Sequence, residues 1–465
     1  MDSQEIRKRF LKFFEERGHT VVSSSSLIPD DPSVLLTTAG MQQFKPYYTG
    51  KLDPEKTIHP NIGKPIGKNA VSIQKSFRTS DIDEVGDESH LTFFEMLGNF
   101  SFGGYFKKEA IQYAHEFITK EMGLEIDYVS VFDPAKVPDG DWRKGVPRDD
   151  KAREIWKSLG LQDEKIRGEG IDNFWGPTGN EGPCGPTTEI YIRGVEIWNI
   201  VFNEYYCRQG PHPTSHIPHP TLEKLKTPGV DTGMGLERLA MVSRMVSQNV
   251  PTIFDTDLFN RLVDIIPTND LRLKRVIADH VRASAHLITD GVEPSNKDRG
   301  YILRRLLRRV IFHLVRVAND PVNLQLPRRD LDLSGRVAEI IKPILETVIE
   351  TSPYLEKGHA VRIDSVIKRE IGTSIDLLRS TSELRKAIDQ CLQDDVRVFP
   401  ADIAFKIFSS YGIPPDFIRD EAEKIGLEFR EEDFEKERKK HQEISRAGQE
   451  KKFGGHGLLL DTGEL

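Results

Sequence analysis

Thr188-Glu189-Ile190-Tyr191-Ile192 and Glu196-Ile197-Trp198-Asn199-Ile200-Val201-Phe202 decide how this chain folds. Both runs are short and mostly apolar, and both read as buried strands. Few residues separate them, so no crossover helix fits between. Working outward, residues 71–106 read as a hairpin: Val71 to Arg78, an acidic connection through Gly86, then Leu91 to Phe102. Further upstream, Val21 to Thr38 is strand-like and broken by Pro29 and Pro32. Strands in series with short connections predict an α+β domain on an antiparallel sheet rather than a doubly wound parallel one. A helix leads into it over Asp2 to Gly18. Asp2 with Glu5 forms a capping-box pattern, Ile6, Phe10, Phe13 and Phe14 line one face, and Gly18 stops it. Ala110 to Lys120 is a second helix.

Beyond about Arg238 the texture changes. Helical periodicity dominates from Asp257 to Glu350 and again from Ala360 to Gln449. A boundary is expected near 245–255, at Gln248-Asn249-Val250-Pro251, which divides the chain into 1–248 and 249–452. The charged stretch Glu421 to Lys452 reads as an exposed helix. Phe453 to Leu465 looks like the start of a new apolar segment rather than a domain end.

Composition narrows the function classes. The chain has 465 residues, enough for two or three domains with their own cores. A charged share of 30% and a hydrophobic share of 37% read as soluble and globular. The net charge of −8 does not advertise a nucleic-acid binder, so a local basic patch would have to do that work. Three scattered cysteines, Cys184, Cys207 and Cys391, form no CxxC pair, which argues against a disulfide framework and a thiolate zinc site. No apolar run approaches the ~18 residues of a membrane span, and Met1 leads into a charged segment unlike a signal peptide. A reducing cytoplasm fits these features.

Several residues carry chemistry. In Val230-Asp231-Thr232-Gly233-Met234-Gly235-Leu236-Glu237-Arg238, glycines let backbone approach a ligand closely, Asp231 supplies a carboxylate, and Arg238 a cation at a helix start. A site holding an amino group and a polyphosphate together needs those parts, although an ordinary strand-to-helix turn would look similar. Arg78 closes a strand into an acidic loop, where it either clamps an anion bidentately or pairs with Asp81 or Asp83. Glu95, among large apolar groups, is costly unless paired. It either satisfies backbone donors or accepts from an adenine amino group, with Phe94 as a stacking platform. Trp175 is either core or a flat wall limiting a small substrate. Asn199, polar in an apolar strand, needs a partner from the backbone or from an amino-acid substrate. In Arg299-Gly300-Tyr301-Ile302-Leu303-Arg304-Arg305-Leu306-Leu307-Arg308-Arg309, two Arg-Arg pairs one helical turn apart share a face. That face suits a phosphate backbone, or else pairs with nearby acids.

Taken in order, these words resemble a known family. Asp231 to Arg238 looks like motif 3 of the class II aminoacyl-tRNA synthetases in its alanine-specific form. Thr92-Phe93-Phe94-Glu95-Met96-Leu97-Gly98-Asn99-Phe100-Ser101-Phe102-Gly103 is similar to the motif 2 strand, and Pro29 to Ser33 with Thr38 to Met41, Phe44 and Lys45 to the motif 1 region. Asp172 to Trp175, Gly182 to Pro186, Glu196 to Phe202, Val276 to His280 and Asp290 to Asn296 follow in family order, so the resemblance covers nearly the whole chain. It implies a class II antiparallel sheet flanked by helices, then an all-helical tRNA-recognition domain. It implies ATP-dependent activation of L-alanine to alanyl-adenylate and transfer to the 3′ end of tRNA(Ala), with Mg²⁺ accompanying ATP. Arg78 would bridge the α-phosphate and the alanine carboxylate, and Arg238 would hold the γ-phosphate, with Gly235 also in the ATP site. Asp231 would hold the ammonium, while Trp175, Asn199, Val230 and Gly233 shape the alanine pocket. Arg299, Arg304, Arg305, Arg308, Arg309, Asn296 and Ser409 would face the tRNA acceptor stem, Asn296 reading its G·U pair.

The chain departs from the family pattern at identifiable places. The motif 2 loop, Asp81 to His90, is short, and Ser89 stands where an arginine is often seen. Ser409 replaces an acid that helps read the G·U pair. Neither the zinc cluster of an editing domain nor a C-terminal dimerising domain is found, so 453–465 reads as the start of a linker to an absent editing domain, in a monomeric fragment or a natural minimal enzyme. A tRNA-binding paralog without catalysis is the alternative function. Arg78, Asp231 and Arg238, all present, favour the enzyme.

Overall fold

The computed structural model describes all residues except 32–33, 178–180, 209–220, 246–250, 320–331, 381–382, 395 and 453–465. Pro32 and Ser33, the core of the expected boundary at 248–250, and the 453–465 tail therefore lie outside the described residues. The chain divides into two units: Met1–Arg78 with Phe93–Asn260, and Thr79–Thr92 with Arg261–Leu465.

The first unit is built on a nine-stranded sheet. Its strands are β1 (Thr20–Val21), β4 (Asn69–Phe77), β5 (Phe93–Ser101), β6 (Tyr128–Phe132), β7 (Ile166–Glu169), β8 (Phe174–Trp175), β9 (Gly182–Ile192), β10 (Val195–Arg208) and β11 (Thr221–Gly235), while β2 (Ile58–His59) and β3 (Lys64–Pro65) make a separate small hairpin. The order is β1-β4-β5-β11-β10-β9-β6-β7, with β8 also on β9. Pairing is antiparallel from β4 to β6, as the strand series predicts; only the edge pairs β1–β4 and β6–β7 are parallel. Helices α1 (Ser3–Glu15), α2 (Lys45–Tyr48), α3 (Lys107–Glu116), α4 (Asp150–Ser158) and α5 (Leu236–Arg244) flank it. Asp2 caps α1 by accepting from the Glu5 N–H at 2.8 Å. Phe10 and Phe14 of α1 pack their rings against Trp198 of β10 at 5.9 and 6.4 Å, which buries that side of the sheet.

Two expectations are corrected. Among the described residues, Val21 to Thr38 contributes only the end of the two-residue β1 (Thr20–Val21). Pro29 cannot serve a ladder, and the Ser25 N–H is instead taken by the Gln74 side chain at 2.9 Å. The glycine-rich stretch 230–235 is no turn: it is the end of β11, extended and paired on both sides, running straight into α5. Cross-strand pairing on two sides outweighs the low intrinsic strand preference of glycine.

The second unit is helical: α6 (Asn260–Ile265, which begins at the boundary), α7 (Leu271–Thr289), α8 (Asp298–Asn319), α9 (Leu333–Thr351), α10 (Ala360–Ser380), α11 (Glu383–Gln393), α12 (Ala401–Tyr411), α13 (Pro415–Glu423) and α14 (Glu431–Lys452). A core cluster of Phe312, Ile407, Ile413, Phe417, Ile418 and Phe434 joins α8 to α12, α13 and α14. The loop 79–92 between β4 and β5 belongs to this unit. Thr92 binds Asp279 of α7 by its N–H (3.0 Å) and its hydroxyl (2.5 Å).

Candidate active site

Register decides which face each strand residue occupies, because successive side chains alternate. Met234 lies opposite Leu97 and Trp198, Gly233 opposite Asn199, Asp231 opposite Val201, and Asn199 opposite Glu189. Gly235 pairs with Met96, which pairs with Gln74, and Phe94 pairs with Ser76. Period two then puts Arg78, Phe94, Met96, Gly233, Gly235, Asp231, Asn199 and Glu189 on one face, five strands wide. Met96, Tyr47, Tyr48 and Phe100 belong to the cluster that closes this face, with Phe94 and Trp175 packed against it.

Each group has a defined setting. Arg78 is exposed, just past β4, with its guanidinium carbon 5.1 Å above the Phe94 ring. It makes no ion pair among the described residues, and Asp83, its alternative partner, is held by Arg305 and Arg438. Asp231 is 4% exposed and makes no side-chain hydrogen bond among the described residues; burial pushes its carboxyl up to about 7. Buried Val230 accepts from the Tyr48 hydroxyl at 2.5 Å through its carbonyl. A Cβ on Gly233 would sit 2.9 Å from Met96 Sδ, so only glycine keeps this spot open. Gly235 caps α5. Arg238, in the first turn of α5, donates to the Glu196 carbonyl (3.1 Å) and carboxylate (3.2 Å) and stays 35% exposed. Trp175 is half-buried on β8, and Asn199 donates its Nδ2 to Glu189 at 3.0 Å.

Two expected residues are not brought to this face. Val230 alternates with Asp231 and pairs with Phe202 and Ser101, which puts its side chain on the opposite side, so only its backbone borders the site. Glu95 alternates with Phe94 and Met96 and lies on the opposite side, where Arg7 of α1 grips both its oxygens at 2.7 and 2.5 Å. That bidentate pair answers the cost of burying the carboxylate, in place of an adenine contact. Three residues of the site, Tyr48, Glu189 and Glu196, escaped sequence reasoning, as did Arg7 on the opposite side. Glu189 carried the signal that marked Glu95, a carboxylate inside an apolar run. Arg7 looked like any helix-surface cation. Among the described residues, no group of three or more His, Cys, Asp or Glu is placed to hold a metal ion.

In the helical unit a basin of about 410 Å³ is lined by Asn296, Arg304, Arg305, Arg308, Arg309, Ser409 and Asp83, among others. Arg299 is half-buried and not in its lining. The arginines are paired. Arg304 and Arg308 share buried Glu370 at 3.3 and 3.4 Å, and Arg305 holds Asp83. Arg309 is buried, with its Nε on Asp416 at 2.7 Å and its other nitrogens on the Ile82 and Val85 carbonyls. Arg304 also donates to Asn296 Oδ1, which leaves the Asn296 amide N–H groups facing away from it. Ser409 is exposed and bonds only weakly to the Lys406 carbonyl at 3.4 Å.

A family model described as tRNA synthetases class II (A) matches residues 5–195 and 192–458. The alanine–tRNA ligase of Rubrobacter xylanophilus is 37% identical over 96% of this chain and 50% of its own length. That of Borrelia hermsii is 35% identical over 98% of this chain and 75% of its own. The cytoplasmic alanine–tRNA ligase of Caenorhabditis elegans is 36% identical over 96% of this chain and 47% of its own. The chain thus spans about half the length of the first and third of these relatives. With family-model matches to both units and relatives aligned over nearly its whole length, the chain belongs to the class II tRNA synthetases, in the family of the alanine–tRNA ligases.

Proposed function

We propose that this chain activates L-alanine with ATP and passes it to the 3′ end of tRNA(Ala). The observation that carries the reading is the shared face on which Asp231, without a side-chain partner among the described residues, Asn199 and exposed Arg78 stand around Gly233. Asp231 takes the alanine ammonium, and the Met96 and Trp175 side chains leave room for a methyl group. Arg78 bridges the alanine carboxylate and the α-phosphate above Phe94, the stacking platform for adenine. Arg238, steadied by Glu196, meets the terminal phosphates. The alanine carboxylate oxygen attacks the α-phosphorus in line. A new O–P bond forms as the bond to the bridging oxygen breaks, and pyrophosphate leaves with the electron pair. A tRNA ribose hydroxyl then attacks the activated carbonyl, and AMP departs. No protein nucleophile is needed; positioning and charge neutralisation supply the rate.

Mg²⁺, brought with ATP, would neutralise phosphate charge. Glu196, the carboxylate beside Arg238, would be the protein group that holds the ion. The basin around Asn296, Arg304, Arg305 and Arg308 would receive the acceptor stem, with Ser409 at its edge and buried Arg309 behind. A cytoplasmic setting is supported by the name of the nematode relative.

A pocket this small excludes larger side chains but separates alanine from glycine or serine only modestly. Amino-acid-dependent ATP–pyrophosphate exchange with each of the twenty amino acids tests the reading. Exchange strongest with alanine, with weak serine and glycine signals, is expected. Folded protein that exchanges with none would leave tRNA binding alone as its function.

A further inference from the structure

Glu189 is a carboxylate that is 6% exposed in the middle of β9, and no step above uses it. Three donors converge on it: the Ser130 hydroxyl at 3.1 Å, the Tyr191 hydroxyl at 2.8 Å and Asn199 Nδ2 at 3.0 Å. Burial pushes the Glu189 carboxyl up to about 7; once ionised it only accepts, so Asn199 turns its amide nitrogen toward Glu189 and its Oδ1 away. That Oδ1 is buried and has no hydrogen-bond partner among the described residues. A buried acceptor without a donor is rare in native proteins and calls for a missing partner. Directly opposite Asn199 on β11 stands Gly233, which contributes no side chain, and two residues along on the same face stands Asp231, also without a side-chain partner among the described residues. Asn199 Oδ1 and the Asp231 carboxylate, which flank Gly233 on this face, are therefore both acceptors, a pairing that suits a cation.

We infer that Glu189 is a positioning residue: it locks the Asn199 amide so that Oδ1, and not the N–H group, faces a cationic group bound in the site. Ser130 and Tyr191 fix Glu189 in turn. The inference rests on the proposed activation reaction for the identity of that cation. Two cations of that reaction have this chemistry, the alanine ammonium and Mg²⁺. The lock raises affinity because the acceptor is already aimed before the ligand arrives. Glu189→Gln keeps the size but adds an N–H donor that can hold Oδ1, so the Asn199 amide is free to turn over.

The experiment compares wild type, Glu189→Gln, Asn199→Ala and the double variant, with thermal midpoints to confirm folding. Binding of radiolabelled alanine by equilibrium dialysis, without ATP or metal, is one readout. Binding of Mn²⁺ by electron paramagnetic resonance, with a non-hydrolysable ATP analogue, is the second. ATP–pyrophosphate exchange is the third. Glu189→Gln is expected to weaken one cation about tenfold and to add nothing in the Asn199→Ala background. Weaker alanine with unchanged Mn²⁺ identifies the ammonium; the reverse identifies the metal. Unchanged binding of both, or effects of the two substitutions that simply add, overturns the inference and makes Glu189 a packing residue. Wild-type protein that binds alanine and Mn²⁺ but exchanges with no amino acid would break the proposed reaction while leaving the lock testable by binding. Wild type that binds neither would end both.

Discussion

The sheet face and the arginine face of α8 handle charge in opposite ways. On the sheet, among the described residues, Asp231 and Asn199 Oδ1 are buried without side-chain hydrogen-bond partners, and Arg78 stands over an aromatic ring with no carboxylate. On α8, Arg304, Arg305, Arg308 and Arg309 all hold carboxylates already. The first is a surface whose energetic deficit a ligand repairs, so each group there should count heavily. The second is satisfied in the free protein, and a phosphate must displace Glu370 or Asp83 before it gains anything. Large effects are expected from the sheet and graded, salt-dependent ones from α8.

The sharpest break is Arg78→Ala. It should lower adenylate formation by about 10³-fold, on the order of 4 kcal/mol, because the lost contact is made in the transition state. The thermal midpoint should not move, since Arg78 is exposed. Normal exchange by this variant would remove Arg78 from the reaction.

Asp231→Asn comes next and carries two signs. Burial raises this carboxyl from the ordinary aspartate range to about 7, so the folded state holds its proton more tightly than the unfolded chain. Its contribution to stability is complete below about pH 4 and lost as pH rises through about 7. Removing the charge should therefore stabilise the fold above pH 7 by about 1–3 kcal/mol, while alanine KM rises about 100-fold. Wild-type alanine KM should also climb as pH falls through about 7, where the ammonium loses its counter-charge. A variant that is both less stable at pH 8 and normal for alanine would contradict this reading.

On α8 the contrast can be sharpened. Arg304→Ala with Arg305→Ala should weaken tRNA binding and flatten its salt dependence by about two phosphate contacts while sparing alanine activation. Arg309→Ala should instead cost about 3 kcal/mol of stability, because it leaves buried Asp416 with His313 in place of a guanidinium. If the double variant lost activation, or if Arg309→Ala acted only on tRNA, the division between contact and structural arginines would fall. The smallest effect is expected from Gly233→Ala. Its methyl would press on Met96 Sδ, a flexible neighbour, so alanine KM should rise only about tenfold.

Much of the site was legible because its signals are local. Asp231, Gly233 and Arg238 lie within eight residues, and Arg78 and Phe94 sit at matching ends of a hairpin whose register the alternation predicts. What stayed hidden depends on contacts between distant segments. Nothing near Arg7 announces that it will grip Glu95, 88 residues away. Nothing near Arg305 announces Asp83, 222 residues away in the loop after Arg78. Glu189 was visible as an oddity, yet its effect on Asn199 needs the pairing of β9 with β10.

The sequence by itself determined the strand series, the helical second half and the words that mark the family, since residue type and spacing suffice for each. Only the tertiary structure decided sides and partners. A one-residue slip in register would exchange Phe94 for Glu95 and Gly233 for Thr232 on the site face, and register is set by burial of the whole sheet rather than by any one strand. The charge state of Asp231 follows the same logic, because desolvation is a property of the packed fold and not of the residue.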